Sequence, residues 1–501
     1  MRTVRNICGA GLAALVAASG AAAALEASAV WQNLQDAGAL SGFTVTGTAT
    51  PVEDGLRIEG LEYRRAAQGG DISMSIGQMR LIERADGAVD VVLPDRMPLR
   101  LAGDGADGPA FDARLTVAAP DLATVARQQG EGIAYDYTAP EMSVMLDTLV
   151  IDGAPAEGGG QLTLTDVIGQ ETLTAGAALG YAIDLTTGKV TLQADVTPAG
   201  AEGQVRVDAT IGALSTRSRT TLPEGGPVQP LGAALKAGLS GEGMLRLTGL
   251  AFDVEIADKT GMVRTLSGAI EAATQESLLS AETTRYGYEQ TGMSLDIAGG
   301  DVPGGKVGVT LARLASGITM PLAVTDEARD LNLSLRIGGL AADETLWSTF
   351  DPGAALPRDP ADLTLELSGR GRWTADVLAP GAMADLEAPP GTLESLTIEA
   401  LRLAALGAEV TASGSFGFDP ADFESLGRPP LPEGSIEIVG QGINGLLDRL
   451  VDAGFIVPDQ ANGMRMMLGL FARPGEGEDR LVSEIEITPE GRVLANGMPV
   501  Q

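Results

Sequence analysis

Carboxylates are the side chains that could do acid–base chemistry in this chain. It carries 67 Asp and Glu against 34 Lys and Arg, and no histidine. Without histidine, Ser-His-Asp and Cys-His nucleophilic sites, imidazole acid–base catalysis and the usual His/Cys zinc centres are excluded. Two enzymatic routes survive. A glycosidase-type carboxylate pair is one, but sugar sites lean on aromatic platforms, and aromatics are 4% of the residues with three Trp. A Ser-Lys dyad is the other, yet neither S-x-x-K nor G-x-S-x-G occurs. Acidic residues in number could bind calcium weakly, but neither the Asp-rich calcium loop nor a Gly-Asp nonapeptide repeat is present. No catalytic, cofactor-binding or metal-ligating residue is assigned, and no cofactor is expected.

The elements that would position any site read as strands. Leu331, Leu333, Leu335 and Ile337 alternate with Asn332, Ser334 and Arg336, a period of two with one apolar and one wet face. Leu363, Leu365 and Leu367 repeat it, as do Ile72, Met74 and Ile76. Val410, Ala412, Gly414, Phe416 and Phe418 face one way, with Glu409, Thr411, Ser413 and Ser415 on the other side. Tyr181 to Leu185, a Thr187-Gly188 turn and Val190 to Val196 predict a hairpin. Turns rich in Gly, Asp and Pro, such as Asp419-Pro420, punctuate these runs.

Helices are few: Val30 to Leu40, Leu122 to Gln128, Leu231 to Leu239, and two near the C-terminus. Of that pair, Ile443, Leu446, Leu447, Leu450 and Val451 form an apolar stripe ending at Gly454. Met464, Met467, Leu468 and Phe471 form the other, closed by Pro474. Both are expected to cap the sheet. The fold class is mainly β: long antiparallel twisted sheets, groove- or sandwich-like, with a few short capping helices.

The chain of 501 residues divides into a leader, 1–24, an N-terminal β-rich half, 25–225, and a C-terminal half, 226–501, with the helices near 443–472. A faint repeat supports two related halves. Tyr135-x-Tyr137 precedes Met142-Ser143 as Tyr286-x-Tyr288 precedes Met293-Ser294, and Leu222 to Pro230 is the Pro/Gly-rich boundary.

Arg2 and Arg5, the apolar run Gly9 to Gly20, and Ala22-Ala23-Ala24 stand in the order of a Sec-type signal peptide. The run is too short to cross a bilayer, which takes roughly 20 apolar residues. Export to the periplasm, with no transmembrane segment afterwards, is the expectation. Cys8 precedes the apolar run, so it is not a lipidated cysteine, and the mature chain is expected to be cysteine-free. A net charge of −33 disfavours nucleic acid and anionic lipid surfaces as partners.

Several runs resemble a known family. They are Trp31 and Leu34 after the leader, Leu346-Trp347-Ser348-Thr349-Phe350-Asp351-Pro352, Leu356-Pro357-Arg358-Asp359-Pro360, and the C-terminal order from Gly414-Ser415-Phe416-Gly417-Phe418-Asp419 to Ile487-Thr488-Pro489-Glu490-Gly491. The chain resembles the alphaproteobacterial envelope proteins catalogued as domain of unknown function twenty-one twenty-five, over most of the mature length. A looser likeness is to AsmA-type envelope proteins. That likeness implies a lipid-handling groove lined by one apolar sheet face, although this chain lacks their membrane anchor. Trp347, between Pro-bounded turns, is expected to be a buried corner anchor.

Three functional readings follow. One is a non-enzymatic exported protein that binds a lipid or other apolar ligand on a sheet face. Another is a structural or assembly factor that meets envelope proteins through sheet edges or the C-terminal helices. The enzymatic one is a carboxylate-dependent hydrolase. An outer-membrane barrel is disfavoured by nine Phe and six Tyr, too few for two aromatic girdles.

Overall fold

Period-two alternation makes strands, and strands dominate, with 67% strand against 12% helix. A computed structural model describes residues 24–40, 42–67, 70–103, 109–174, 179–197, 203–223, 231–258, 260–379, 390–419 and 432–500. Residues 1–23 of the predicted leader, Cys8 among them, lie outside the described residues, and the chain as a whole contains one cysteine rather than none.

The described strands join a single 27-stranded sheet. From Ser240–Asp258 onward it is an antiparallel meander. Val263–Leu279, Thr283–Gly299, Lys306–Pro321, Arg329–Ala342, Ala361–Trp373, Gly391–Ala405, Ala408–Phe418 and Pro432–Gln441 each pair with the next. Toward the N-terminus, long strands alternate with places filled by two shorter strands end to end. Glu157–Thr174 pairs through residues 168–174 with Leu179–Thr187, and through residues 157–164 with Val190–Thr197. The predicted hairpin at Thr187-Gly188 is therefore absent. The two segments lie in line along one partner, and Gly188 interrupts a run rather than reversing it. Across residues 224–230, which lie outside the described residues, the same sheet continues: Gly203–Ile211 and Ala213–Leu222 both pair with Ser240–Asp258.

A crease separates the two tiers. Pairing register places Gly249, Glu271, Gly292, Ala312 and Gly339 on one line across five strands. The three glycines have φ of 63°, 61° and 67°, a region costly for any side chain with a Cβ. Close approach adds to this. A Cβ on Gly292 would sit 2.3 Å from Glu271 Cγ, and one on Gly339 would sit 2.8 Å from Ala312 Cβ. The left-handed residue reverses the alternation. In Ser240–Asp258 the apolar positions are Leu245 and Leu247 before the crease, then Leu250, Phe252 and Val254 after it. One face thus stays apolar along the whole strand although the sequence parity changes.

The described α-helices are α1 (Ala27–Leu40), α2 (Leu231–Lys236), α3 (Glu344–Phe350), α4 (Ile443–Asp452) and α5 (Pro458–Phe471). The helix expected at Leu122 to Gln128 is the strand Ala123–Gln129. Its Ala126, fully buried, pairs with Val89 on one side and Tyr135 on the other, so two partner strands override a helix-favouring composition.

Among the described residues, most of the sheet carries no second layer. The accessible surface is 28642 Å² for a 51.2 kDa chain. A compact protein of that mass has about 17,000 Å². The main fully buried cluster sits at the N-terminal end, where α1 lays Val30 and Trp31 against Ile58, Leu61, Met79 and Leu81.

Candidate functional site

Register carries one row of side chains along one face through sixteen strands. It runs Val89, Ala126, Tyr135, Glu171, Ile183, Ser218, Gly243, Ser277, Tyr286, Ile318, Leu333, Leu367, Ile398, Gly414, Ile436 and Ile485. At about 4.8 Å per strand this row is about 70 Å long. Parallel rows beside it add Leu245, Leu335, Leu365 and Leu403. In the middle of the sheet the row is open: Tyr286 is 41% and Leu333 40% exposed.

The opposite face is polar and laced with cross-strand ion pairs. Arg206 bridges Asp195 and Glu255 at 3.1 Å each, Arg217 meets Asp184 at 2.8 Å, Arg313 meets Glu289 at 2.9 Å, and Arg336 pairs with Glu366. A hollow of about 580 Å³ opens on this face where Gly287 and Gly317 leave no side chain between those pairs. Among the described residues no three His, Cys, Asp or Glu are grouped to hold a metal ion.

One carboxylate stands on the apolar face beside the closed end. Glu171 lies opposite Tyr135 on one side and Ile183 on the other. Tyr137 crosses from the same strand as Tyr135 and lies over Gly169, where a Cβ would meet its ring at 2.2 Å. Tyr181, opposite Leu173, stands on the same face beside Glu171, close enough for its hydroxyl to favour the charged carboxylate. Tyr135 itself is buried under α1 and donates to Asn33 Oδ1 at 2.7 Å. Burial raises the Glu171 carboxyl above the usual carboxylate range, and the Tyr181 hydroxyl opposes this only in part. Burial and then the Glu171 charge raise the hydroxyls of Tyr135, Tyr137 and Tyr181 and push Tyr63 up to about 12. The sequence marks Tyr135 and Tyr137 as half of a repeat and does not single out Glu171. The signal that could have found it is a lone carboxylate at an apolar-parity position, followed by Leu173.

The other half of that repeat, Tyr286 and Tyr288, stands on the open part of the same face. Tyr288 donates to Gln290 Oε1 at 2.5 Å, and Gln290 is buried. Of the C-terminal helices, expected to cap the sheet or close its end, α4 packs at the end of Ala408–Phe418, where Arg449 donates to the Leu406 and Gly407 carbonyls, while α5 leaves its stripe open. Leu447 of α4 is buried, but α5 exposes Met464, Met467 and Phe471 of the predicted stripe, and Met466 and Leu470 are 73% and 62% exposed. Among the described residues no element is packed over the exposed part of this stripe.

The Trp-containing run forms a self-contained corner. Asp343 caps α3 by accepting from Leu346 N at 2.7 Å. Asp351, 2% exposed, accepts from Ala355 N, Leu356 N and Arg358 Nη1 at 3.0, 2.8 and 2.6 Å. The Leu356 amide first, then Arg358, holds its carboxyl below the usual range. Arg358 stacks 4.6 Å over Trp347, which is half-buried rather than buried.

Fold and site together define a mainly-β protein with a single long antiparallel sheet, polar on one face and apolar on the other. Residues 285–500 match the family model described as "Uncharacterized protein conserved in bacteria (DUF2125)", so this part of the chain is similar to that family. The match includes the α3 corner and the C-terminal helices, and it leaves out Trp31 and Leu34. It does not show the looser likeness to AsmA-type proteins. No curated protein and no solved structure matches the chain.

Proposed function

We propose that this chain is an exported, non-enzymatic envelope protein that holds a lipid or other long apolar ligand along the apolar face of its sheet. One observation carries the reading. The face that α1 buries at the N-terminal end continues uncovered past Tyr286, Ile318 and Leu333. Uncovered apolar rows on a soluble sheet are unfavourable at about 25 cal/mol per Å², so an occupant stabilises the protein. The row matches an extended molecule better than a compact one, because it is long and only a few side chains wide. Export rests on Arg2, Arg5, Gly9 to Gly20 and Ala22-Ala23-Ala24, and no described helix is long and apolar enough to span a membrane.

Native mass spectrometry with lipid extraction of the protein purified from its own envelope tests the reading. An apolar molecule at defined stoichiometry is expected, with an N-terminus at or near Leu25. A clean apo mass from an envelope preparation would overturn it.

A second reading rests on α5, whose exposed Met466, Met467 and Leu470 fit a protein partner. Crosslinking in cells would recover that partner, and Leu470→Glu would lose it. Leu470 is a better position for this test than buried Leu447, because its substitution leaves the core intact.

A further inference from the structure

Glu171 is an unusual residue to find on the apolar face. Burying a carboxylate without a cation is costly, and such groups are commonly matched by a partner of opposite charge. Among the described residues Glu171 has no ion-pair partner, and burial and the Tyr181 hydroxyl are the influences on it. The fold does not need the charge there. Its row neighbours are Tyr135 and Ile183, and the row carries apolar or small uncharged residues from Ile183 to Ile485.

Its surroundings are phenolic. Tyr137, two register steps away over Gly169, and Tyr181, two residues from Ile183 on the same face, are both half-buried, so part of each ring is open to the face. Tyr135 is pinned beneath by Asn33 of α1. A carboxylate with aromatic faces beside it matches an ammonium group, by charge and by cation–π attraction. The position matches as well. Here the open row runs into the part closed by α1, so a long ligand lying on the row would bring one end to Glu171.

We propose that Glu171, Tyr137 and Tyr181 form the headgroup site of the sheet, taking the ammonium group of a cationic or zwitterionic amphiphile whose chain lies along the apolar row. This rests on the reading of the apolar face as a ligand-binding surface.

Titration calorimetry with single-chain probes below their aggregation concentrations tests it. The probes are dodecyltrimethylammonium, a neutral dodecyl glycoside, dodecyl sulfate and tetramethylammonium. The wild-type chain is expected to bind the alkylammonium at least about tenfold more tightly than the neutral probe, a difference of about 1.4 kcal/mol. Glu171→Gln removes that preference and leaves the neutral probe's affinity unchanged, which also reports that the variant is folded. Glu276→Gln, which removes the same charge from the polar face, keeps the preference. Equal affinity for all heads, a preference that survives Glu171→Gln, or one lost equally in Glu276→Gln would each overturn the headgroup site while leaving the apolar face as a binding surface. Tetramethylammonium binding as tightly as the alkyl compound would assign the site to a free solute and overturn the headgroup role. If no alkyl probe binds at all, the ligand-binding reading of the face fails and this inference with it.

Discussion

The two ends of one row have opposite fates. At the N-terminal end, Ile58, Leu61, Met79 and Leu81 are fully buried because α1 lies across them with Val30 and Trp31. Farther along the same face, Ile318 and Leu333 keep more than a third of their surface in water. The local sequence does not distinguish them: Met79-x-Leu81 and Leu331-x-Leu333 carry the same alternation. Alternation decides which way a side chain points, and topology decides whether anything is laid on it.

The sharpest test of that contrast is a pair of truncations. Leu61→Ala removes a fully enclosed side chain and is expected to lower stability by about 2–5 kcal/mol. Leu333→Ala, at 40% exposure, is expected to cost about 1 kcal/mol or less. Denaturant unfolding of both variants and of wild type measures this. Equal losses would mean that the middle of the face is covered after all. With a bound apolar ligand the Leu333 variant should lose further stability relative to wild type, because the ligand stabilises only the form it binds.

The crease is what lets both tiers share the row, and it can be broken. Gly292→Ala places a Cβ at φ 61°, against Glu271. A loss of about 1–3 kcal/mol is expected from the backbone and the displaced side chain together. Gly287→Ala, in the same strand, meets nothing within 4 Å and is expected to be neutral or slightly stabilising. Thermal melts of the two variants separate a required glycine from a permissive one.

These contrasts show what was legible in advance. Strand character, the one-sided alternation of Leu331 to Ile337 and the C-terminal helix pair follow from short-range periodicity, and the sheet contains them as read. Strand order was not legible. The Thr187-Gly188 break looks like a hairpin turn until Glu157–Thr174 is seen to pair with both flanking segments. Leu122 to Gln128 has helix-forming residues, but its state is set by Val89 and Tyr135, which are distant in sequence. The crease hid itself in another way. A left-handed glycine inverts parity, so Leu247 and Leu250 look out of phase although both belong to the apolar face. The same effect masked Glu171: its position belongs to the apolar face only once Asp166, at φ 51°, has reversed the alternation after Leu162 and Leu164.

Glu171 also sets a pH-dependent difference between the two ends. Burial raises its carboxyl in the folded chain, so the folded state holds its proton to higher pH than the unfolded state. Below the unfolded value both states are protonated and the group contributes no slope. Above it, the folded state binds more protons and stability falls as pH rises through the folded value, by at most about 1.4 kcal/mol per pH unit. Glu171→Gln should therefore be more stable than wild type at neutral pH and should lose that advantage on acidification toward pH 4 to 5, the range of the free carboxyl. Chemical unfolding of both proteins as a function of pH gives the difference directly, and this cancels the contribution of the other carboxylates. A constant difference across the range would mean that Glu171 is solvated in the folded chain.

The smallest effect belongs to the opposite face, and it sets the scale for the others. Arg313 and Glu289 face each other at 2.9 Å with half of each side chain in water. Exposed pairs of this kind contribute little, so Arg313→Ala is expected to change stability by less than about 0.5 kcal/mol. Added salt should erase even that, since the Debye length falls to about 3 Å at 1 M. The polar ladder nevertheless has a consequence the apolar row lacks. Its residues, at alternate positions along the same strands, keep that face in water, so an occupant has one side of the sheet on which to lie. If Arg313→Ala weakened the neutral alkyl probe as strongly as Leu333→Ala, the probe would be lying in the hollow over Gly287 and Gly317, and the two faces would have exchanged roles.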